Sequence, residues 1–329
     1  GEVRGECVGE RVGSMAGAFR GLTVGCARCH EHKFDPITQR GSFGLFGLFG
    51  GIGESGLYSH FTNATPTPTL ELPTEVQERK TAELEGRISA ALTAVDGEAL
   101  PWREALSTSF ADAGEEGAPF QLRGGARVTA DRAAEGVELD GENSVVFPGV
   151  GVFRRADPFR IQLELRSPEA FERAVVLHRT KSGTDAGSRG YQLLVDEGRL
   201  LFALVHFWPG DAVAVRTVSA MPVGQWTNVE LRYDGSSRAS GMEIWVDGAP
   251  AALEVVRDHL TRTIRGGSIE HLTIGSRFRD RGFKGGAVRS MRVLELPPEI
   301  PNPTNTLRAA RAALNDHRDR IRLIMTMRE

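Results

Sequence analysis

Between about residues 109 and 296 apolar and polar residues alternate with a period of two, the spacing of half-buried strands. Phe159, Ile161, Leu163 and Leu165 take one side of one segment, and Val229, Leu231 and Tyr233 one side of another. Residues 200–207, 242–246, 272–274 and 288–294 read as further strands, separated by turn signals such as Asp196-Glu197-Gly198 and Asp247-Gly248. No amphipathic helix intervenes, so the pattern predicts an antiparallel two-sheet sandwich.

The period lengthens to that of a helix on both flanks. Thr74 and Gln77 form a capping box after Pro73, and Val76, Leu84, Ile88, Leu92 and Val95 follow at helical spacing, predicting a helix over 74–95. Leu307, Ala310, Leu314, His317, Ile321 and Ile324 mark one face of a second helix over 304–324, with arginines opposite. Each helix needs a surface to bury. The economical solution sets Leu84, Ile88 and Leu92 against Leu307, Leu314 and Ile321, with the sandwich inserted between the arms of a helical hairpin. The expected division is 1–62, a small irregular or helical segment; 63–73, a Pro/Thr linker; 74–104, helix and connection; 105–297, the sandwich; and 298–329, an amphipathic helix leading into a further domain.

The 329 residues carry 40 basic and 43 acidic side chains, so no global positive field draws the chain to nucleic acid or anionic lipid. No apolar stretch approaches the roughly 18 residues of a membrane span. The greasiest run, 43–52, is broken by four glycines. Three cysteines exclude a disulfide-dense scaffold, and all lie in residues 1–62. The sequence starts at Gly1 without a charged-then-apolar signal region, which suggests a piece of a longer protein.

The sharpest chemical signal is Cys26-Ala27-Arg28-Cys29-His30. Two thiols three residues apart suit addition to the two vinyl groups of one porphyrin, and the next histidine suits an axial iron ligand. Cys26 and Cys29 are therefore candidate haem c attachment sites and His30 the candidate iron ligand, with Met15 or His60 as candidates for the sixth position. A zinc site is the alternative: Cys26, Cys29 and His32 with Asp35 or Cys7. A third reading is an oxidised Cys26–Cys29 pair beside solvated histidines. Under the haem reading Cys7 is the odd cysteine, a small buried residue.

The run Gly21-Leu22-Thr23-Val24-Gly25-Cys26-Ala27-Arg28-Cys29-His30-Glu31-His32-Lys33-Phe34-Asp35-Pro36-Ile37, continued by Glu54-Ser55-Gly56-Leu57-Tyr58, resembles a planctomycete family of long secreted proteins. In that family a cytochrome-like domain of unknown function precedes a second domain of unknown function. Residues 174–190 and 264–286 resemble the laminin-G-like, concanavalin A-like module inserted between them, and Ile324-Met325-Thr326-Met327-Arg328-Glu329 is similar to the entry of the second domain. Gly41-Ser42-Phe43 departs from the acidic-aromatic-aromatic step of the family. The resemblance implies a mainly β, concanavalin A-like sandwich, haem attachment at Cys26, Cys29 and His30, and family positions without an assigned role at His32 and Asp35. It also implies an extracytoplasmic location, a redox partner still unnamed, and a polysaccharide or cell-envelope ligand. The contrasting expectation is a non-redox envelope binding protein whose Cys/His cluster holds structural zinc.

Within the sandwich, Glu138, Asp140 and Glu142 superficially match the Glu-x-Asp-x-Glu triad of laminarinase-type glucanases. Catalysis there needs a strand that aims alternate carboxylates into one cleft. Gly141 and Asn143 place this segment in a turn instead, so no glycosidase activity is expected. Trp208 and Asp211, on Trp208-Pro209-Gly210-Asp211, are weak ligand-binding candidates, because a loop tryptophan stacks well on a sugar face. Trp226 and Trp245 are expected to be packing residues, and His206 a satisfied histidine at the core edge. The charged run 277–281 is expected to be a solvated loop, and the arginines of the last helix a charged face rather than a nucleic-acid patch.

Overall fold

The computed structural model describes residues 2–50, 69–95, 100–110, 118–129, 136–184, 186–265 and 271–325. The chain divides into two units, one of Gly1–Leu72 with Arg322–Glu329 and one of Pro73–Ile321.

In the larger unit every strand pairing within the sheets is antiparallel. The first sheet runs, edge to edge, Leu253–His259, Asp211–Thr217, Arg199–Phe207, Gly190–Asp196, Arg173–His178, Leu272–Gly275, Ser144–Phe147 and Gln121–Arg123. The second runs Ala249–Pro250, Met242–Val246, Trp226–Tyr233, Phe159–Arg166, Ala287–Glu295, Gly136–Glu138 and Arg127–Thr129, and Arg103–Ser109 also pairs with Ala287–Glu295. This is the mainly β antiparallel sandwich that the alternation predicts. In Phe159–Arg166 the odd positions are buried and the even ones half-exposed, and Ile161 and Leu163 stand opposite Leu231 and Val229. These side chains share one core with Leu193, Phe202, Leu204 and Val213 of the other sheet. Phe153 stacks on Phe159 at 4.3 Å between ring centroids, and the Tyr191 hydroxyl donates to the Gly151 carbonyl at 2.9 Å. Gly151 has φ +69°, and a Cβ there would collide with that hydroxyl, so the turn requires glycine.

The first sheet is buried on its second face as well. Val175, Leu194, Leu201, Ala203, Val205, Ala212 and Ala214 form a separate apolar cluster there, with Trp208 and Val256 packed against it. The strand Arg199–Phe207 consequently shows no alternation.

Helix α3, Glu75–Leu92, starts at Thr74 with the predicted capping box: the Gln77 amide donates to Thr74 Oγ1, and the Thr74 amide donates to Gln77 Oε1 at 2.8 Å. Helix α4, Pro303–Arg318, starts at Asn302, whose side chain accepts from the Asn305 amide at 2.8 Å. The two helices meet as expected. His317 Nε2 donates to the Gln77 carbonyl at 3.0 Å, and Arg318 bonds Glu85 at 2.9 Å. Leu84 and Ala91 are buried and Ile88 is half-buried, whereas Val76 and Leu92 are exposed, so the contact face of α3 is narrower than its periodicity suggests.

The second helix also stops earlier than expected, at Arg318 rather than 324. The Arg262 guanidinium donates to the carbonyls of Arg318 and Ile321, taking acceptors that a continuing helix would need. Residues 322–325 are extended and pair with 69–72. Among the described residues, the segment 298–329 is thus a helix followed by a strand.

In the smaller unit, α1 (Glu2–Arg20) precedes a tight turn, α2 (Gln39–Gly50) follows it, and Thr69–Leu72 pairs antiparallel with Arg322–Met325. Val8, Val12 and Ala16 form a buried stripe at four-residue spacing on α1. Glycines 5, 9, 13 and 17 lie one residue further round the same helix. Val12, Ala16 and Val24 nucleate a small core against Leu22, Ile37, Leu45 and Phe49. Most of the Pro/Thr linker lies outside the described residues, and its end, Thr69–Leu72, is a strand.

Leu84→Ala is expected to cost about 2–5 kcal/mol in urea unfolding, and Leu92→Ala less than about 0.5 kcal/mol. Equal losses would mean that α3 packs through a different face.

Candidate functional site

The two thiols and the adjacent imidazole sit on one turn between α1 and α2. Gly25–Arg28 is a single 3-10 turn, in which the Cys29 and His30 amides donate to the Cys26 carbonyl at 3.3 and 3.4 Å. Ala27 is buried and anchors the turn, leaving Cys26 and Cys29 exposed as free thiols. Arg28 ties the turn to both helices. Its guanidinium lies over the bare backbone of Gly9 and 5.6 Å from the Phe46 ring, while its carbonyl accepts from Gln39 Nε2 at 3.2 Å. Sequence reasoning missed this tether, and the glycine facing Arg28 is its only local trace.

His30 is exposed, and its Nδ1 lies 2.8 Å from the Glu31 carbonyl. A carbonyl only accepts, so Nδ1 carries the proton and the lone pair is on Nε2. His32 is oriented differently. Its Nδ1 accepts the Asp35 amide at 3.0 Å and stands 3.2 Å from Asp35 Oδ2, closing the Lys33-Phe34-Asp35 turn. His32 and Asp35 thus come together. Among the described residues, however, no three His, Cys, Asp or Glu side chains gather into a metal-binding group. Met15 is half-buried on α1, Cys7 lies on α1 with its side chain outside the description, and His60 and Glu54–Tyr58 fall outside the described residues.

The sandwich candidates behave as structural groups. Asp211 is buried, and its two carboxylate oxygens accept from the Thr261 amide at 2.8 Å and hydroxyl at 2.7 Å, leaving it poorly placed to meet a ligand. Trp208 covers the second apolar cluster, with the Arg257 guanidinium 5.8 Å from its ring. Asp140 lies in the expected turn. Its Oδ1 accepts the amides of Glu142 and Asn143, which hold its carboxyl below the usual range. Glu138 ends a short strand and Glu142 is exposed in the turn. Trp226 and Trp245 do pack, but on arginines rather than in the core: Arg289 lies 4.2 Å from one ring and Arg232 3.8 Å from the other. His206 is satisfied as expected, between the Thr263 carbonyl at 2.7 Å and Arg189 at 3.3 Å.

The run 277–281 corrects its reading as a solvated loop. Arg277 is fully buried and bonds Asp280, Gln192 Oε1 and Thr180 Oγ1, while Arg173 bonds the same Asp280 at 2.8 and 3.0 Å. Burial raises the Asp280 pKa, but the two guanidinium groups overcome this and hold it at about 2. Next to this network, burial and then the Arg277 charge push His178 down to about 4; its two ring nitrogens face the carbonyls of Thr180 and Ser276.

A family model described as PSCyt2, a protein of unknown function (DUF1549), matches residues 2–54, which include the whole Cys-His turn. No curated protein matches the chain. Among solved structures, domain 4 of AbnA, an extracellular arabinanase from Geobacillus stearothermophilus in complex with arabinotriose, is 13% identical. That alignment covers 64% of this chain and 98% of the domain, with a TM-score of 0.39. The binding domain of botulinum neurotoxin serotype G is 9% identical over 63% of this chain and 50% of its own, with a TM-score of 0.41. The binding domain of Paraclostridial Mosquitocidal Protein 1 is 10% identical over 58% and 46%, with a TM-score of 0.40.

These buried groups give the fold an acid-labile side. His178 takes up its proton near pH 6.5 when unfolded and near 4 when folded, so stability is complete above the first value and lost as pH falls toward the second. The loss is on the order of 3 kcal/mol. Asp280 adds a further loss as pH falls from 3.8 toward 2. Urea midpoints should therefore fall between pH 7 and pH 4, with a shallower slope in His178→Gln; an unchanged slope in that variant would remove His178 as the cause. Asp280→Asn, which leaves Arg277 buried against a neutral amide, should cost about 3–5 kcal/mol at neutral pH.

Proposed function

We propose that the 26–30 turn is a covalent attachment site for haem c in an extracytoplasmic redox protein, and that the sandwich is its recognition module for a polysaccharide or envelope protein. One observation carries the first part: the His30 Nδ1 proton is held by the Glu31 carbonyl, leaving Nε2 as the ligating nitrogen, on the same turn as two exposed thiols. A backbone partner on the far ring nitrogen is the usual support of a metal-bound histidine. The spacing and exposure of Cys26 and Cys29 fit two thioether bonds, and His30 would hold the iron. Haem supplies one-electron chemistry when bound. The protein contributes orientation, through the buried Ala27 and the Arg28 tether, and apolar cover. Phe34, Phe43 and Leu48 of this unit are exposed apolar side chains, which a bound macrocycle could partly shield.

The test is expression of the full chain with c-haem maturation machinery, followed by a pyridine haemochrome spectrum and intact mass. Cys26→Ala with Cys29→Ala should abolish both the added mass and the visible band. His30→Ala should keep the mass while changing the spectrum. His32→Ala should change neither, because its Nδ1 already closes the 33–35 turn. One equivalent of zinc without haem, lost on His32→Ala, would overturn the haem reading in favour of a structural metal centre in a non-redox binding protein.

A further inference from the structure

A cavity of about 440 Å³ opens in the larger unit where the C-terminal half of α4 faces the loops around Arg154 and Thr263. Its wall carries Arg154, Arg155 and Arg265 against Asn315, Asp316 and Asp319, a set that includes no aromatic side chain. Among the described residues of the wall, three guanidinium groups face two carboxylates, one excess positive charge. The size is within the usual range for small-molecule sites.

The polar groups here are left incomplete, unlike those nearby. Elsewhere on α4, Arg308 bonds Asp157, Arg311 bonds the Asp234 carbonyl and Arg318 bonds Glu85. At the cavity, the side chains of Arg154, Arg265, Asn315 and Asp316 make no hydrogen bond or ion pair among the described residues. Arg155 is nine-tenths buried or more. Its Nη1 donates to the Leu260 carbonyl at 3.2 Å, but Nε and Nη2 have no hydrogen-bond partner among the described residues, and Asp319 Oδ1 stands 3.9 Å from Nη2. Asp319 is thus an ion-pair neighbour of Arg155 without a hydrogen bond to it, which leaves guanidinium N–H groups free to meet an anion.

We propose that this cavity binds a carboxylate-bearing sugar, with the arginines taking the carboxylate and Asn315 and Asp316 accepting from hydroxyl groups. Planar guanidinium donors suit a carboxylate. Asn315 and Asp316 in the last turn of α4, and Asp319 just past its end with one oxygen taken by the Thr263 amide at 3.2 Å, are separate acceptors, which suits several ring hydroxyls better than a single ammonium group. The net charge of the wall suits a monoanion. This deepens the recognition reading of the sandwich and is independent of haem.

The experiment is calorimetric titration of the full chain with D-glucuronate, glucose and glutamate in parallel. Glucuronate should bind with a Kd of about 10 mM or tighter, and glucose at least about tenfold more weakly. Arg265→Ala and Asp316→Ala are exposed and should leave the melting temperature unchanged while weakening glucuronate about fivefold or more each; Arg154→Ala is the replacement should either fail to fold. No glucuronate binding, tighter binding of glutamate, or wild-type affinity in the variants would overturn the proposal. Glucose binding equal to glucuronate, and unaffected by Arg265→Ala, would overturn this site while leaving the recognition reading intact.

Discussion

A sheet buried on both faces must satisfy every polar group that either face covers, and much of the larger unit is arranged around that constraint. Gln192 alternates with the inward Tyr191 and Leu193, so it lies on the second face of the first sheet beside Leu194. Arg277 reaches over that face to bond it and pairs with Asp280, whose carboxylate is shared with Arg173. The segment then rejoins the sheet edge, where the Arg281 carbonyl accepts the Val175 amide at 2.8 Å. A guanidinium stripped of water is costly, and it is tolerated here because several acceptors and one carboxylate surround it. The charged segment thereby lies along the second face of the sheet through Gln192 and the edge of Val175.

Arginine plays a second structural part at α4. Arg308 bridges Asp157 and the Leu296 carbonyl, Arg311 takes the Asp234 carbonyl, and Arg262 closes the helix end. Backbone carbonyls make up half or more of these acceptors, so the contacts depend on the shape of the sandwich loops as well as on charge. The helix is held by geometry that no salt concentration screens fully.

Strands with one wet face were legible because their alternation is local: 159–165 and 229–233 can be read directly. The strand Arg199–Phe207 was legible as an apolar run over 200–207, but its burial on both faces was not, because the second face is covered by residues distant in sequence. Helix α1 was hidden by glycines at every fourth position, which depress helix propensity while leaving the buried Val8–Val12–Ala16 stripe intact. The early end of α4 was illegible for the same nonlocal reason. Ile321 and Ile324 keep the helical spacing, but Arg262 and the strand 69–72 claim the backbone there. At the candidate site the Cys-His spacing was plain in the sequence. The proton position on His30 was not, because it depends on the fold of the turn.

The pairing of Thr69–Leu72 with Arg322–Met325 places Leu72 directly opposite Arg322, about 5 Å away as in any antiparallel pair. For the smaller unit, everything between these two residues is equivalent to the turn of a hairpin. A tight turn of two residues could replace it without altering the strand register. Such a junction lets a gene gain, lose or exchange the intervening module while its host keeps the same hydrogen bonds. It also means that unfolding of one part need not pull the other apart, provided the two strands stay paired.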